Sequence, residues 1–259
     1  MELVFIGAGR LATQLALALH EQGGHAIAAV CSRTIDSATA LAGRVGATAT
    51  DDIAALPRKA DAVVIAVKDD ALPLVAAQVA ALGPECPVFH TAGSIPADAL
   101  SAVGRHGVIY PMQTFSKERR TDFTRVPFFI EASDDEALAT ARRIAESLSN
   151  SVTVLDSGRR RQLHLAAVFA SNFANHCYTL AADILEDCGL DFSAMLPLIE
   201  ETAAKVGTMH PRDAQTGPAV RYDEEVMKRQ MQMLADKPMT CQIYELMSRS
   251  IHSHAERKK

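Results

Sequence analysis

Hydrophobic positions along this chain follow two rhythms that change near residue 156. Before it, short unbroken apolar runs at 3–6, 25–31, 60–67, 87–90, 107–110, 126–131 and 151–155 read as strands buried on both faces. Between them, apolar positions at helical spacing predict helices over 11–19, 37–45, 72–82 (stopped by Gly83-Pro84) and 134–148, the last capped by Asp134 or Ser133. Such alternation predicts a right-handed, doubly wound, mostly parallel α/β sheet. Beyond Asp156-Ser157-Gly158 the strand signal ends. One long helix is expected over 159–188, closed by Gly189, with further helices over 192–206, 223–234 and from about 239 to the basic tail Glu256-Arg257-Lys258-Lys259. Pro211 and Thr216-Gly217-Pro218 mark a long loop. The expected plan is an α/β domain over 1–156 and an all-α domain over 157–259.

The first strand runs into Gly7-Ala8-Gly9-Arg10-Leu11-Ala12, a G-x-G-x-x-A turn that opens an apolar helix. In that context it reads as a dinucleotide-binding fingerprint. Gly7 permits the tight turn, Gly9 lets a pyrophosphate approach the backbone, and Ala12 keeps helix and strand close. The helix start offers unpaired N–H groups and a positive dipole end to phosphates, so Ala8, Arg10 and Leu11 join the two glycines as candidate cofactor contacts.

Composition narrows the partners. A net charge of −5 argues against nucleic acid or an anionic membrane held by bulk charge, and no apolar run reaches membrane-spanning length. The first strand starts at the initiator methionine, leaving no room for a signal peptide. The five cysteines show neither C-x-x-C pairing nor metal-ligand spacing and read as reduced, mostly buried thiols. A cytoplasmic chain without a metal site is expected.

In a doubly wound sheet, the residue that closes the second strand selects the nucleotide: a carboxylate there pairs with the ribose 2′-hydroxyl and repels a 2′-phosphate. Here that strand ends Cys31-Ser32-Arg33-Thr34, with no carboxylate until Asp36. Ser32 and Thr34 can donate hydroxyls and Arg33 can grip a phosphate bidentately, which points to NADP. The competing reading of Arg33 is an ordinary solvated arginine.

Ligands of such sheets gather beyond the carboxyl ends of the strands. Candidates there are Val67 for the cofactor, Lys68 for the cofactor or the substrate (or an ordinary exposed loop lysine), His90, Thr91 and Ser94 for the nicotinamide ribose or the substrate, and Gln113 for a substrate. Capping is the alternative role of Thr91 and Ser94. On the long helix, steps of 100° bring His164, Ser171 and Asn175 within about 40° of one another, with Asn172 about 80° from His164. A polar stripe on an apolar helix needs partners. Either these groups satisfy one another in a seam, or they face the cleft, with His164 as acid/base, Asn172 or Asn175 orienting the substrate and Ser171 contacting it. His176 and Tyr178 are weaker candidates. Arg221 either pairs with Asp223 or clamps a substrate carboxylate. The pairs Asp51-Asp52, Asp69-Asp70 and Asp134-Asp135 fit helix capping, and His252-Ser253-His254 fits a solvated helix end.

The plan resembles reductases that join an N-terminal Rossmann domain to a helical dimerisation domain: pyrroline-5-carboxylate reductase, the β-hydroxyacid dehydrogenases and ketopantoate reductase. It is more similar still to Rossmann-like proteins whose C-terminal domain is known only as a domain of unknown function. The likeness lies in Tyr110-Pro111-Met112-Gln113-Thr114-Phe115-Ser116, in Leu163 to Asn172, and in Thr216-Gly217-Pro218-Ala219-Val220-Arg221-Tyr222-Asp223. It implies NADP binding and a homodimer interlocked through the C-terminal helices, with a small-molecule substrate left undefined. Where the β-hydroxyacid dehydrogenases carry Lys four residues before Asn, this chain has Val168 before Asn172. The leading expectation is an NADP-dependent oxidoreductase acting on a small carbonyl or imine compound. The alternatives are a non-catalytic NADP(H)-binding sensor that recruits a partner, and an oxidoreductase with a second cofactor such as a deazaflavin.

Overall fold

The computed structural model describes residues 1–116 and 118–256. Its first compact unit is Met1–Asn172 and its second begins at Phe173. In the first unit eight strands form one sheet: β1 (Glu2–Ile6), β2 (Ala26–Cys31), β3 (Thr48–Thr50), β4 (Ala62–Ile65), β5 (Val88–His90), β6 (His106–Pro111), β7 (Phe128–Ala132) and β8 (Val152–Val154). Their order is β3-β2-β1-β4-β5-β6-β7-β8. All neighbours are parallel except β6 and β7. The order reverses at β1, paired to β2 on one side and β4 on the other, which opens a crevice beyond their carboxyl ends. The expected doubly wound, mostly parallel sheet is what the chain forms.

Alternation along each strand decides which core it feeds. Leu3 and Phe5 point into one layer with Leu15 and Leu19 of α1 (Arg10–Glu21), Leu41 of α2 (Ile35–Val45) and Ile144 of α4 (Asp135–Glu146). Val4 and Ile6 point the other way, into a layer with Leu72 and Val79 of α3 (Leu72–Leu82). Burying each such side chain contributes roughly 1.5–3 kcal/mol. Asp134 caps α4, its carboxylate accepting from the Ala137 N–H at 2.8 Å.

The first unit includes helix α5 (Ser157–Ala167), which is tied to the sheet. Arg160, fully buried, pairs with Glu131 of β7 and donates to the Ile95 carbonyl at 2.6 Å. The Ser157 hydroxyl donates to Glu131 and accepts from the Ala97 N–H at 2.9 Å.

The expected helix over 159–188 forms, but Val168–Phe173 is a π-helix. Its i→i+5 bonds take more than 3.6 residues per turn, so a phase counted at 100° per residue does not carry through it. Ser171 and Asn172 lie inside this segment, and Asn175 lies beyond it on α6 (Ala174–Asp187). The single stripe drawn through His164, Ser171 and Asn175 therefore loses its geometric premise.

The second unit continues with α7 (Leu196–Thr208), α8 (Pro211–Ala214), α9 (Pro218–Arg221), α10 (Glu224–Gln232) and α11 (Pro238–Glu256). Two short helices thus occupy what the proline and glycine signals marked as loop. Lys237 pairs with Asp187, and Tyr222, at φ +56°, stacks on His252 with ring centroids 4.3 Å apart. His252 is therefore packed against a ring, not simply solvated. Among the described residues of this unit only Ala219, Met227 and Leu234 are buried, while Leu198, Met233, Met239 and Leu246 are exposed. Arg257, Lys258 and Lys259 of the expected tail lie outside the described residues. Two of the five cysteines, Cys31 and Cys86, are buried, fewer than expected. No described helix is long and apolar enough to cross a membrane.

Glu131→Ala should cost about 3–5 kcal/mol in urea unfolding, because it strands a buried guanidinium. Combining Arg160→Met with Glu131→Leu should recover most of that loss.

Candidate active site

The turn from β1 into α1 is set by a steric limit. Gly7 has φ +116°, and a Cβ there would lie 2.2 Å from the Ala66 carbonyl oxygen, so no other residue fits. Its N–H donates to the Cys31 carbonyl at 2.7 Å, binding the turn to the end of β2. Gly9 is the N-cap of α1 and supplies no side-chain acceptor to the first-turn N–H groups. A Cβ on Gly9 would meet nothing within 4 Å, so the helix start opens onto free space. Ala12, fully buried, holds α1 against the sheet.

That space is a cavity of about 970 Å³. Gly7, Ala8, Gly9, Arg10 and Leu11 form its floor, Ser32, Arg33 and Thr34 one wall, and Val67 and Lys68 another. Apart from His90 and Thr91, every residue expected at the cofactor comes to this one cavity. Thr91 is buried and its N–H donates to the Ile65 carbonyl at 3.2 Å, so it serves the end of the sheet. Ile53, Leu74 and Val75 add an apolar lining that suits a flat ring. Asp51, Asp52 and Asp70 add carboxylates to the lining. Asp52 is engaged, capping a 3₁₀ turn through the Ala54 N–H at 2.9 Å. Burial, reinforced by Asp52 and Asp51, pushes the Cys31 thiol up to about 11, so it is no nucleophile here.

The cavity fits a phosphorylated dinucleotide by its own features: unpaired helix N–H groups over a glycine, a guanidinium at the end of β2, and no carboxylate in that position. Among the described residues no group of His, Cys, Asp or Glu side chains could hold a metal ion.

A second cluster lies at the carboxyl ends of β5 and β6, the next strands along the sheet from β4. His164, half-buried on α5, sets Nδ1 3.1 Å from the hydroxyl of Tyr110, at the end of β6. Gly93, in the loop after β5, backs both rings. At the end of β5 itself, His90 is fully buried with both nitrogens used: Nδ1 accepts from the Ala92 N–H and Nε2 donates to the Pro96 carbonyl, each at 3.1 Å. That excludes the ligand contact expected of it. The Ser94 hydroxyl donates to Asp69, so Asp69 is a side-chain acceptor instead of a cap. Gln113 sits apart, its Oε1 accepting from the Thr114 N–H at 2.8 Å, beside a separate cavity of about 520 Å³ with Arg119, Arg120 and Arg125. Ser171 is half-buried and Asn172 exposed, both in the π segment.

Asn175 and Arg221 belong to the second unit, both exposed. The expected Arg221–Asp223 pair is not formed among the described residues. The intervening Tyr222 turns the chain through the left-handed region, and Asp223 caps α10, accepting from the Val226 N–H at 3.3 Å.

Residues 2–86 match the family described as NADP oxidoreductase, coenzyme F420-dependent, and residues 126–251 match a domain of unknown function, DUF2520. A solved structure from Bacteroides fragilis, provisionally named an NADP oxidoreductase, shares 49% identity over 97% of this chain and 98% of its own, with TM-score 0.92. The chain belongs to this NADP oxidoreductase family. More distant are an imine reductase from Myxococcus stipitatus in complex with NADP+ (16% identity, 99% and 95% of the two chains, TM-score 0.72) and a pyrroline-5-carboxylate reductase from Coxiella burnetii (16%, 98% and 97%, 0.59). At that identity they share the fold. No curated protein matches.

Sequence reasoning missed two features of this family member's site. Asp51 and Asp52 escaped because β3, Thr48-Ala49-Thr50, carries no apolar run. Tyr110 escaped because it closes a strand, and only the fold brings α5 beside it.

Burial above all, helped by the Arg160 charge, lowers the His90 imidazole to about 4. The unfolded chain binds a proton there below about pH 6.5 and the folded one does not. Stability is therefore full above pH 6.5 and falls toward pH 4, by on the order of 3 kcal/mol from this group. In urea unfolding from pH 7 to 4.5, His90→Gln should start less stable than wild type yet lose less on acidification.

Proposed function

We propose that the chain is an NADPH-dependent reductase of small imine or carbonyl compounds, with His164 as the proton donor. The observation that carries this is the cavity at the reversal of strand order, with Gly9 open beneath the helix N-terminus and Arg33 alone at the end of β2. When bound, NADPH supplies a hydride to the substrate carbon. The chain's own part is then to grip the nucleotide and to protonate the heteroatom. N–H groups at the start of α1 face the diphosphate, and Arg33, with Ser32 and Thr34, holds the 2′-phosphate. His164 stands two strands from β4, and at about 4.8 Å per strand this is on the order of 10 Å, within reach of an extended dinucleotide. Its imidazolium gives up the Nε2 proton and is left neutral.

The bare second unit supports a homodimer: α6, α7 and α11 bury none of their residues within one chain, and their apolar side chains need a cover that a second copy supplies. Free cysteines, three of them (Cys177, Cys188 and Cys241) exposed or half-exposed, fit a reducing cytoplasm.

Calorimetry should show NADPH bound more tightly than NADH. Arg33→Ala should weaken NADPH by about tenfold or more and leave NADH unchanged. In assays of cyclic imines and keto acids, His164→Ala should lower kcat by roughly 10²–10⁴. Nucleotide binding with no turnover across that panel, and none with coenzyme F420 as the alternative hydride carrier, would leave a sensor instead. Light scattering should give twice the chain mass, and Leu246→Asp should shift it toward the monomer.

A further inference from the structure

His164 stands in a setting that admits one ring orientation. Its Nδ1 meets the Tyr110 hydroxyl at 3.1 Å, and the two rings meet edge to face, centroids 5.9 Å apart at 72°. A Cβ on Gly93 would lie 2.6 Å from that Nδ1 and 2.9 Å from Tyr110 Cζ, so both rings rest on bare main chain. Each partner is held from behind. Tyr110 is buried beside Phe129, centroids 6.5 Å apart. Arg160, one turn before His164 on α5, bonds the Ile95 carbonyl two residues beyond Gly93. Turning the imidazole over would bring a C–H against the phenol and lose the hydrogen bond. Nε2 has no partner among the described residues, so the ring is anchored by one nitrogen and offers the other.

We propose that Tyr110 is the positioning residue of His164, its hydroxyl holding Nδ1 and so presenting Nε2 as the atom that gives a proton to the substrate. This rests on the reading of His164 as proton donor. A hydroxyl suits the task in both charge states, because it rotates about its C–O bond. It accepts from Nδ1–H of the imidazolium, and of the ring that has just given up its Nε2 proton, and donates to Nδ1 when a neutral ring carries its proton on Nε2. Burial keeps the phenol protonated, pushing its titration upward, so the donor remains available across the working range. With the phenol donating, a neutral ring carries its proton on Nε2. A carboxylate in the same position could only accept, and would hold the proton on Nδ1. Gly93 belongs to the same device, since any side chain there would push the imidazole off the phenol.

The test reads the ring directly, in the full chain and without substrate. In a long-range ¹H–¹⁵N spectrum at high pH, wild-type His164 should show Nε2 protonated and Nδ1 as a hydrogen-bonded acceptor. Tyr110→Phe, which keeps the ring and removes the hydroxyl, should move it toward the mixed tautomers of a free imidazole. Gly93→Ala should do the same by displacing the ring. A spectrum unchanged in Tyr110→Phe, or a wild-type ring protonated on Nδ1, overturns the proposal. In turnover, Tyr110→Phe should lower kcat by about tenfold with KM little changed and move the acid limb of the pH profile, which a merely structural tyrosine would leave in place. If the spectra behave as stated while His164→Ala keeps full turnover, the positioning holds and the proton-donor reading alone fails.

Discussion

The contact on which the site depends is the one that leaves Gly7 without room for a Cβ. At 2.2 Å from the Ala66 carbonyl, a methyl group there would drive β1 and β4 apart where strand order reverses. The close approach turns the chain sharply enough for α1 to start at once, with its first-turn N–H groups aimed over the crevice. Ala12 continues the same tightness one turn on. The cavity above is the consequence, and its walls come from the two strands that flank β1.

A second constraint places the candidate chemistry. Arg160 is buried to the last atom, and its ion pair with Glu131 persists because Ser157 and the Ile95 carbonyl satisfy most of the remaining valences; only Nε lacks a partner. Such a pair adds little net stability over an apolar replacement, but it permits one docking of α5. That docking sets His164 one turn further along, against Gly93 and Tyr110. Neutral His90 stiffens the same loop from below. The cluster is thus built on a helix, a strand end and a pinned loop, a support that holds the His164 ring to one geometry.

Much of the first unit was legible as pattern. Buried parallel strands are unbroken apolar runs, and helices on both faces repeat at their own period, so order and type followed directly. The nucleotide cavity was legible for the same reason: its residues sit at fixed offsets within a local motif, and Arg33 closes a strand that could be counted. What failed depended on hydrogen bonds and backbone geometry that the apolar pattern does not record. His90 and Thr91 were read as ligands because strand ends face the crevice, yet the His90 ring bonds the main chain on both sides and Thr91 is buried, its N–H extending the sheet to Ile65. Asp223 became a cap and not a partner of Arg221 because one left-handed residue separates them. The stripe through Ser171 and Asn175 rested on a uniform helical step, and the π segment breaks it where the polar residues lie.

Sequence alone therefore determined the sheet, the glycine turn and the kind of nucleotide its strand ends invite, because each rests on spacing within one or two neighbouring elements. Only the tertiary structure decided which histidine keeps a free nitrogen and which is spent, since one closes a strand and the other sits on a helix, and they differ in what lies across from them. His90 meets two main-chain groups, whereas His164 meets one phenol and keeps a nitrogen over. The partners of His90 lie two and six residues along the chain and that of His164 lies 54 residues back, and neither contact shows as a repeat of apolar positions.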